Sequence, residues 1–367
     1  MEYRGMVQQS PTKQHRPPEP LASRHIFLDT QVYCALGHNP FNPAMTLLKE
    51  QITSHRVVLH TTDITLLEVK RQLHEGVLKR QRELRDIERD LTRWRKWAPN
   101  AAPTGAIDLD AEALSTELFQ KFEWFLRHEC KAEVHSALAI APATVFGTYF
   151  DRKPPFDGEA SKEFPDGFVV EALRQWCRAQ GDQMHVVTQD KAMTRAVSGD
   201  ERLIALSGIH EVLARAAADL GDDGAAAANA VLKNPAFDSS LEAALRPQMK
   251  EVGYDYVGDL VEGEAYQGEL LSIEEIHDWS VVGLSDRCVT LILDANVRVR
   301  VEVEFEDYDH AIYDREDDRW FGVENASTKV DDEIDVEILV DVDRRTGIVR
   351  EAKVLTQEVR ISGPSDW

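Results

Sequence analysis

Acidic residues occur at four places where a predicted strand ends or a predicted helix begins. Asp29 directly follows one short apolar run, and Asp190 lies three residues after another. Glu68 lies little more than one turn into a helix that follows a third run, and Asp166 lies in the first turn of a further helix. Because ligands bind beyond the carboxyl ends of strands in a parallel sheet, we expect these four carboxylates to converge there.

Such a cluster of carboxylates favours a particular chemistry. The negative charges repel each other at neutral pH unless a cation neutralises them. Ligation by oxygen alone suits Mg²⁺ or Mn²⁺ rather than zinc. One or two such ions lower the pKa of an attacking water and stabilise charge on a phosphate and its leaving oxygen. The residues therefore predict metal-dependent hydrolysis of a phosphodiester.

The elements that must position these acids alternate between strand and helix. Short buried strands are predicted at His25–Leu28, Val57–His60 and Met184–Val187. One helix is predicted to begin with Thr62 or Asp63 as its N-cap, and another opens at Phe164, where Pro165 is acceptable near a helix start. This alternation predicts an α/β fold with a mostly parallel sheet.

Four stretches of the chain resemble the PIN-domain nucleases, and more closely a large bacterial PIN-like branch with a long insertion. The stretches are Ile26–Thr30, Thr61–Glu68, Lys162–Asp166 and Val186–Asp190. The order of acids in the family, Asp, Glu, Asp and Asp, is matched in turn by Asp29, Glu68, Asp166 and Asp190. Thr188 resembles the hydroxyl residue that the family often places two positions before the last acid.

The resemblance covers residues 23–210. It implies a three-layer α/β/α sandwich with a central parallel sheet, and an endoribonuclease whose four acids hold Mg²⁺ or Mn²⁺ while Thr188 assists by hydrogen bonding. The interval of 98 positions from Glu68 to Asp166 exceeds what a compact PIN domain uses, so the substrates of small family members do not transfer to this chain. RNA is favoured by the resemblance alone, because the ions act on the phosphate of DNA in the same way.

Some residues near the predicted site have a simpler interpretation. Asp63 is expected to cap a helix through a backbone N–H and is left out of the metal set. From Lys79 to Lys96 a helix is predicted with a basic stripe, which consists of Arg82, Arg85, Arg89, Arg93 and Lys96. The stripe could follow an RNA backbone, but the interleaved acids favour a solvated helix with ion pairs. Trp94 and Trp97 are expected to pack against the protein rather than to stack on bases.

Charge and composition divide the chain. Residues 251–367 hold 31 acidic and 11 basic residues, which accounts for −20 of the net charge of −23. Alternating apolar residues at 297–305 and 334–342, with a turn at 343–347, predict a small antiparallel β domain there. We predict a flexible tail at 1–22, a nuclease domain at 23–210 with a helical insertion at 78–150, a helical linker at 211–250 and an acidic β domain at 251–367.

The acidic domain leaves a second function open, in which a catalytically degenerate PIN scaffold recruits a basic protein partner. The chain shows no apolar run long enough for a membrane span and no secretory signal pattern, so a cytoplasmic location without membrane contact is expected. Toxin-like, RNA-processing and phage-defence roles all agree with the family resemblance. The residues do not choose among these roles, and they leave the oligomeric state open.

Overall fold

The computed structural model describes residues 19–98, 109–157, 164–309, 311–314, 319–356 and 358–362. The chain divides into two compact units, Leu21–Ala216 and a second unit that contains Ala217–Trp367. Most of the predicted N-terminal tail lies outside the described residues, as do Lys162 and Glu163.

A sheet of five strands lies at the centre of the first unit. The strands are β1 (His25–Leu28), β2 (Val58–Thr62), β3 (Glu133–His135), β4 (Met184–Val187) and β5 (Leu203–Leu206). They lie in the order β3-β2-β1-β4-β5, and every neighbouring pair is parallel. Residues 26–28 of β1 are fully buried, as expected for a central strand that helices cover on both faces. The predicted α/β/α sandwich with its parallel sheet is confirmed.

Eight α-helices of the described residues accompany this sheet, besides a short π-helix at Phe125–Glu129 and a 3₁₀ helix at Ala137–Ala139. They are α1 (Thr30–Ala35), α2 (Pro43–Thr53), α3 (Asp63–Arg95), α4 (Ala111–Trp124), α5 (Pro142–Phe150), α6 (Phe164–Gln180), α7 (Lys191–Ser198) and α8 (Ile209–Ala216). Thr62 is the N-cap of α3, because its hydroxyl oxygen accepts a hydrogen bond from the N–H of Thr65 at 3.0 Å. The helices α5, α6 and α7 pack against one face of the sheet through a shared apolar cluster.

The helix α3 is continuous over 33 residues, so the predicted helix at Lys79–Lys96 is its distal half. The buried residues of α3 lie in its first two turns, between Ile64 and Val69. Farther along, Arg89 and Arg93 form ion pairs with the acids three residues before them, which agrees with the ion-paired interpretation of the basic stripe. The expectation that Trp94 and Trp97 pack against the protein is wrong. Their side chains are 56% and 87% exposed, because the helix end extends beyond the buried core.

The second unit contains two α-helices, a four-stranded antiparallel sheet and two separate pairs of strands. The elements are α9 (Gly221–Leu232), α10 (Pro235–Gln248), β6 (Gly253–Tyr256), β7 (Glu264–Leu284), β8 (Cys288–Asp307), β9 (Ile312–Asp314), β10 (Arg319–Phe321), β11 (Glu324–Asp343), β12 (Val349–Val354) and β13 (Glu358–Ile361). Four strands pair in the order β12-β11-β8-β7, all antiparallel. Apolar residues of α9 and α10 join the buried side of the sheet in one core. The predicted C-terminal antiparallel sheet is confirmed.

The turn between β11 and β12 is stabilised by the residue that begins it. The Asp343 side chain accepts hydrogen bonds from the N–H groups of Arg345 and Thr346, at 3.0 Å each. Gly347 then adopts a φ of +70°, which a residue with a Cβ rarely takes. In the described part of the chain, no helix is both long and apolar enough to cross a lipid bilayer.

Candidate active site

The parallel sheet has one point where its strand order reverses. The chain proceeds outward from β1 to β2 and β3, and then returns to β4 on the other side of β1. The loops that leave β1 and β4 diverge at such a point, and ligands bind in the crevice between them. The backbone N–H of Asp29, just after β1, donates to the carbonyl oxygen of Val187, the last residue of β4, at 3.0 Å. Asp29 and the segment after β4 therefore lie side by side at this crevice.

A buried threonine links two of the predicted acids. The hydroxyl of Thr188 donates to Oδ2 of Asp29 at 2.8 Å and accepts a hydrogen bond from the N–H of Asp190 at 3.1 Å. Asp190 is the N-cap of α7, and its Oδ1 accepts from the N–H of Met193 at 2.7 Å. Thr188 is only 3% exposed, and these two hydrogen bonds hold its hydroxyl in place. It therefore fixes the position of Asp29 relative to Asp190.

Glu68 joins the network through Thr30, whose role the sequence did not reveal. The Thr30 hydroxyl donates to Oε2 of Glu68 at 2.6 Å. Thr30 is the first residue of α1, and its N–H donates to Oδ1 of Asp29 at 2.7 Å. Because α3 begins directly after β2, its second turn brings Glu68 to the same edge of the sheet. The signal for this contact in the sequence is Thr30, a hydroxyl residue directly after the strand-end residue Asp29.

The electrostatic environment of Asp29 disfavours its ionised form. Burial raises the pKa of Asp29 above its ordinary value, and the negative charges of Glu68 and Asp190 raise it further. The hydrogen bonds from Thr188 and Thr30 act in the opposite direction but do not cancel the effect. A bound divalent cation lowers this electrostatic cost of ionisation, because it supplies the positive charge that the carboxylates share. The donor set therefore fits a hard, oxygen-binding ion.

Asp166 lies half-buried in the first turn of α6. Only residues 181–183 separate α6 from β4, so the helix runs antiparallel to the strand and begins at the carboxyl edge of the sheet. The start of α6 is tightly packed at Gly167, where an added Cβ would lie 2.5 Å from Cζ of Phe156. The glycine thus allows the close approach that sets the position of Asp166.

The predicted site residues are brought together to different degrees. Hydrogen bonds connect Asp29, Glu68 and Asp190 through Thr30 and Thr188. Asp166 is placed at the same edge by the direction of its helix. Within the described ranges, no three of these four carboxylates have oxygens that all lie within 4.8 Å of one another. Mutual repulsion is expected to keep unneutralised carboxylates apart in this way.

Asp63 has a structural role that differs from the expected one. It is the first residue of α3 rather than its N-cap, which is Thr62. Its Oδ1 accepts from the N–H of Ala137 at 2.9 Å, and its Oδ2 accepts from the hydroxyl of Ser136 at 2.8 Å. Asp63 therefore holds the segment after β3 against the start of α3, and its omission from the metal set agrees with this arrangement.

Comparison with known proteins supports one family. A family model described as a PIN domain matches residues 26–193. The match includes all four predicted acids and Thr188, together with the five-residue stretch that carries Asp29 and Thr30. Searches of curated proteins and of solved structures gave no match.

Proposed function

Residues 26–193 of this chain belong to the PIN-domain family, and from this premise we propose that the protein is a metal-dependent endoribonuclease. The family has a nuclease-type fold and generally uses divalent metal ions. The observation that carries the proposal is the hydrogen-bonded network of Asp29, Glu68 and Asp190 at the reversal point of the sheet. A nuclease needs such a group of carboxylates at an open edge, where a long substrate can reach it.

We propose that Asp29, Glu68, Asp166 and Asp190 hold Mg²⁺ or Mn²⁺. When bound, the ion lowers the pKa of an attacking water and stabilises the negative charge that develops on the phosphate. Thr188 and Thr30 orient the carboxylates by donating hydrogen bonds to Asp29 and Glu68. Outer hydrogen bonds of this kind fix metal ligands in the geometry that they need.

The raised pKa of Asp29 has a consequence for this proposal. A carboxyl group must lose its proton before it can bind a metal ion. Because burial and the neighbouring acids disfavour ionisation of Asp29, metal affinity is expected to increase with pH until this group is deprotonated. Cleavage at a fixed, limiting Mn²⁺ concentration should follow the same trend.

RNA is proposed as the substrate on the basis of the family resemblance. The carboxylates themselves do not distinguish RNA from DNA, because a phosphodiester is attacked in both. The distal half of α3 carries several arginines, although Arg89 and Arg93 are engaged with neighbouring acids. The proposal therefore rests on the site for the chemistry and on the family for the polymer.

The test is cleavage of labelled single-stranded RNA and matched DNA by the full-length protein in Mn²⁺, in Mg²⁺ and in EDTA. We expect RNA to be cut with either metal and to remain intact in EDTA. Asp166→Asn should abolish cleavage. Asp151→Asn is the matched control, because Asp151 is an exposed acid that contacts Lys153 outside the predicted site.

Each contrary result has a definite meaning. Cleavage of DNA alone would replace the substrate in the proposal and keep the chemistry. Equal cleavage by the wild-type protein and Asp166→Asn would contradict the proposed metal site. No cleavage of either polymer, together with no Mn²⁺ binding by calorimetry, would contradict nuclease function and favour a PIN scaffold that acts through its acidic C-terminal domain.

A further inference from the structure

A cluster of histidines lies on one face of the parallel sheet, away from the predicted active site. It contains His25 of β1, His60 of β2, and Glu133 and His135 of β3. Side chains of a strand alternate between its two faces, so the register decides which of them share a face. His60 is paired with Phe27 on one side and with Glu133 on the other. His25 and His135 lie two residues from these positions, and all four side chains therefore point to the same face.

The ring nitrogens of the cluster are close to each other. His60 Nε2 lies 2.8 Å from His25 Nδ1, and His60 Nδ1 lies 2.8 Å from His135 Nε2. The second of these contacts also involves a carboxylate, because Oε2 of Glu133 lies 3.6 Å from His60 Nδ1. His60, Glu133 and His135 thus offer one potential ligand atom each, and all three atoms lie within 4.8 Å of one another.

The surroundings of the cluster suit a metal that binds nitrogen. His60 is fully buried, and the ring of Trp176 from α6 lies over it with the ring centroids 4.5 Å apart. Burial lowers the pKa of His60 to about 3, so the ring is neutral, which is the form that binds a metal ion. The side chain of Glu133 is 51% exposed, and this leaves a route from solvent to the cluster.

We propose that His60 Nδ1, His135 Nε2 and the Glu133 carboxylate form a second metal site, specific for Zn²⁺ or another late first-row transition metal such as Co²⁺. Imidazole nitrogens favour such ions, whereas Mg²⁺ and Mn²⁺ favour oxygen ligands. The site is distinct from the predicted active site. Its three ligands lie within β2 and β3, whereas the predicted acids follow β1 and β4 or lie in the first two turns of α3 and α6, so the two sites share no residue.

The hydrogen bonds behind the ligands agree with this assignment. If His60 binds the metal through Nδ1, its Nε2 carries the proton and donates to Nδ1 of His25. The Nε2–H of His25 then faces Oδ2 of Asp182 at 3.6 Å. An acceptor behind a metal-binding imidazole fixes its tautomer and ring orientation, and His25 supplies that acceptor to His60.

The site has a structural purpose in the fold. The strand β3 is only three residues long, lies at the edge of the sheet and is partly exposed. The residues that follow it are those that Asp63 binds at the start of α3, the helix that carries Glu68. A metal bound by His60 of β2 and by two residues of β3 fastens the edge strand to its neighbour. Metal binding therefore stabilises the folded protein.

The test is a Co²⁺ titration of the full-length protein after metal removal with EDTA and dialysis. We expect one tightly bound Co²⁺ with visible ligand-field absorption, and quenching of the Trp176 fluorescence by this ion. Zn²⁺ should displace the Co²⁺, whereas Mg²⁺ should not. Trp176→Phe identifies the quenched tryptophan among the seven of the chain. The wild-type protein should also unfold at a higher temperature with Zn²⁺ than without it.

Two ligand variants and two controls decide the outcome. His135→Ala and Glu133→Gln change residues that are not fully buried, so folding is expected to survive where His60→Ala could fail. His135→Ala should lose the Co²⁺ absorption, and Glu133→Gln should weaken binding. His128→Ala is the matched control, because His128 is exposed and contacts the carbonyl of Trp124. Asp29→Asn should keep the Co²⁺ site, which separates this proposal from the proposed nuclease site.

A different result would overturn the proposal. Equal Co²⁺ stoichiometry and absorption in the wild-type protein and in a folded His135→Ala variant would show that the cluster does not bind metal. No Co²⁺ absorption and no effect of Zn²⁺ on unfolding in the wild-type protein would have the same meaning. The three histidines would then be a row of neutral rings that share hydrogen bonds beneath Trp176.

Discussion

The carboxylates at the strand ends and the histidines on the sheet face belong to one sheet but differ in chemistry. The first group lies at the carboxyl edge, where loops diverge, and its members are linked by threonine hydroxyls. The second group lies on the face of β1, β2 and β3 beneath Trp176, and its members contact each other directly. Burial raises the pKa of Asp29 and lowers the pKa of His60, because it disfavours the charged form of both groups.

On this difference rests our proposal that one sheet holds two classes of metal ion. At the carboxyl ends of the strands, buried and mutually repelling carboxylates require added positive charge, which favours a hard divalent cation. On the face, neutral rings need no compensating charge and offer nitrogen ligands to a transition metal. Position in the sheet therefore decides the proposed role. The carboxyl ends of the strands are open to a polymer, whereas the covered face of the sheet is not. The two proposed sites should respond to separate substitutions.

The largest expected effect is the loss of cleavage when a carboxylate at the edge is replaced. Asp29→Asn removes a proposed metal ligand while keeping the shape of the side chain and its ability to cap α1. We expect RNA cleavage to fall by more than about 100-fold, beyond the 10- to 100-fold cost of losing an outer-shell partner. Initial rates in saturating Mn²⁺ provide the measurement. Loss of the Co²⁺ site in the same variant would show that the two proposed metal sites are not independent.

A smaller effect is expected when the hydroxyl between Asp29 and Asp190 is removed. Thr188→Val keeps the volume of the buried side chain but removes the donor to Asp29 and the acceptor for the Asp190 N–H. We expect cleavage to fall by roughly 10- to 100-fold, together with weaker Mn²⁺ binding. Thr188→Ser keeps the hydroxyl and should restore most of the activity. A Thr188→Val protein with wild-type rate and metal affinity would argue against a positioning role.

His25 is the corresponding support residue of the histidine cluster. His25→Phe keeps a ring beside Trp176 but removes the acceptor of the proposed hydrogen bond from His60 Nε2. We expect Co²⁺ affinity to fall by roughly 10- to 100-fold while cleavage in Mn²⁺ is unchanged. His25→Gln supplies an amide oxygen as a new acceptor and should recover part of the affinity. Unchanged Co²⁺ affinity in both variants would remove His25 from the support of the site.

Much of the fold could be predicted because its elements have local signals. The strands at residues 25–28 and 184–187 are short apolar runs, and the helix that begins at Phe164 shows apolar residues at helical spacing. The continuity of α3 could not be predicted, since its distal half buries little and carries no strong apolar pattern across Gly76. Glycine lowers helix propensity, but nothing lies within 4 Å of an added Cβ there, so packing does not require it.

The candidate site could be predicted as a set of acids but not as a network. Asp29, Asp190 and Thr188 are recognisable because each follows a strand end, and their proposed roles remain predictions. The Thr30–Glu68 contact joins residues 38 positions apart, and the histidine contacts join residues 35 and 75 apart. Such contacts depend on the pairing and register of parallel strands, which no local pattern specifies. For this reason the sequence did not reveal the histidine cluster.

The smallest expected effect concerns how the stability of the protein depends on pH through Asp29. In EDTA, the folded protein binds a proton at Asp29 more tightly than the unfolded chain does, because the pKa of Asp29 is raised from 3.8. Its contribution to stability is thus fully present below this value and is lost as the pH rises through the raised pKa. Asp29→Asn avoids the loss.

We expect the stability of the variant relative to wild type to increase above about pH 4 and then to level off. Urea unfolding at a series of pH values measures this difference, and saturating Mn²⁺ should reverse it by stabilising only the wild-type site. If the stability of Asp29→Asn relative to wild type instead decreases with rising pH in EDTA, ionised Asp29 does not destabilise the folded protein. The electrostatic reason for a metal ion at this site would then be wrong.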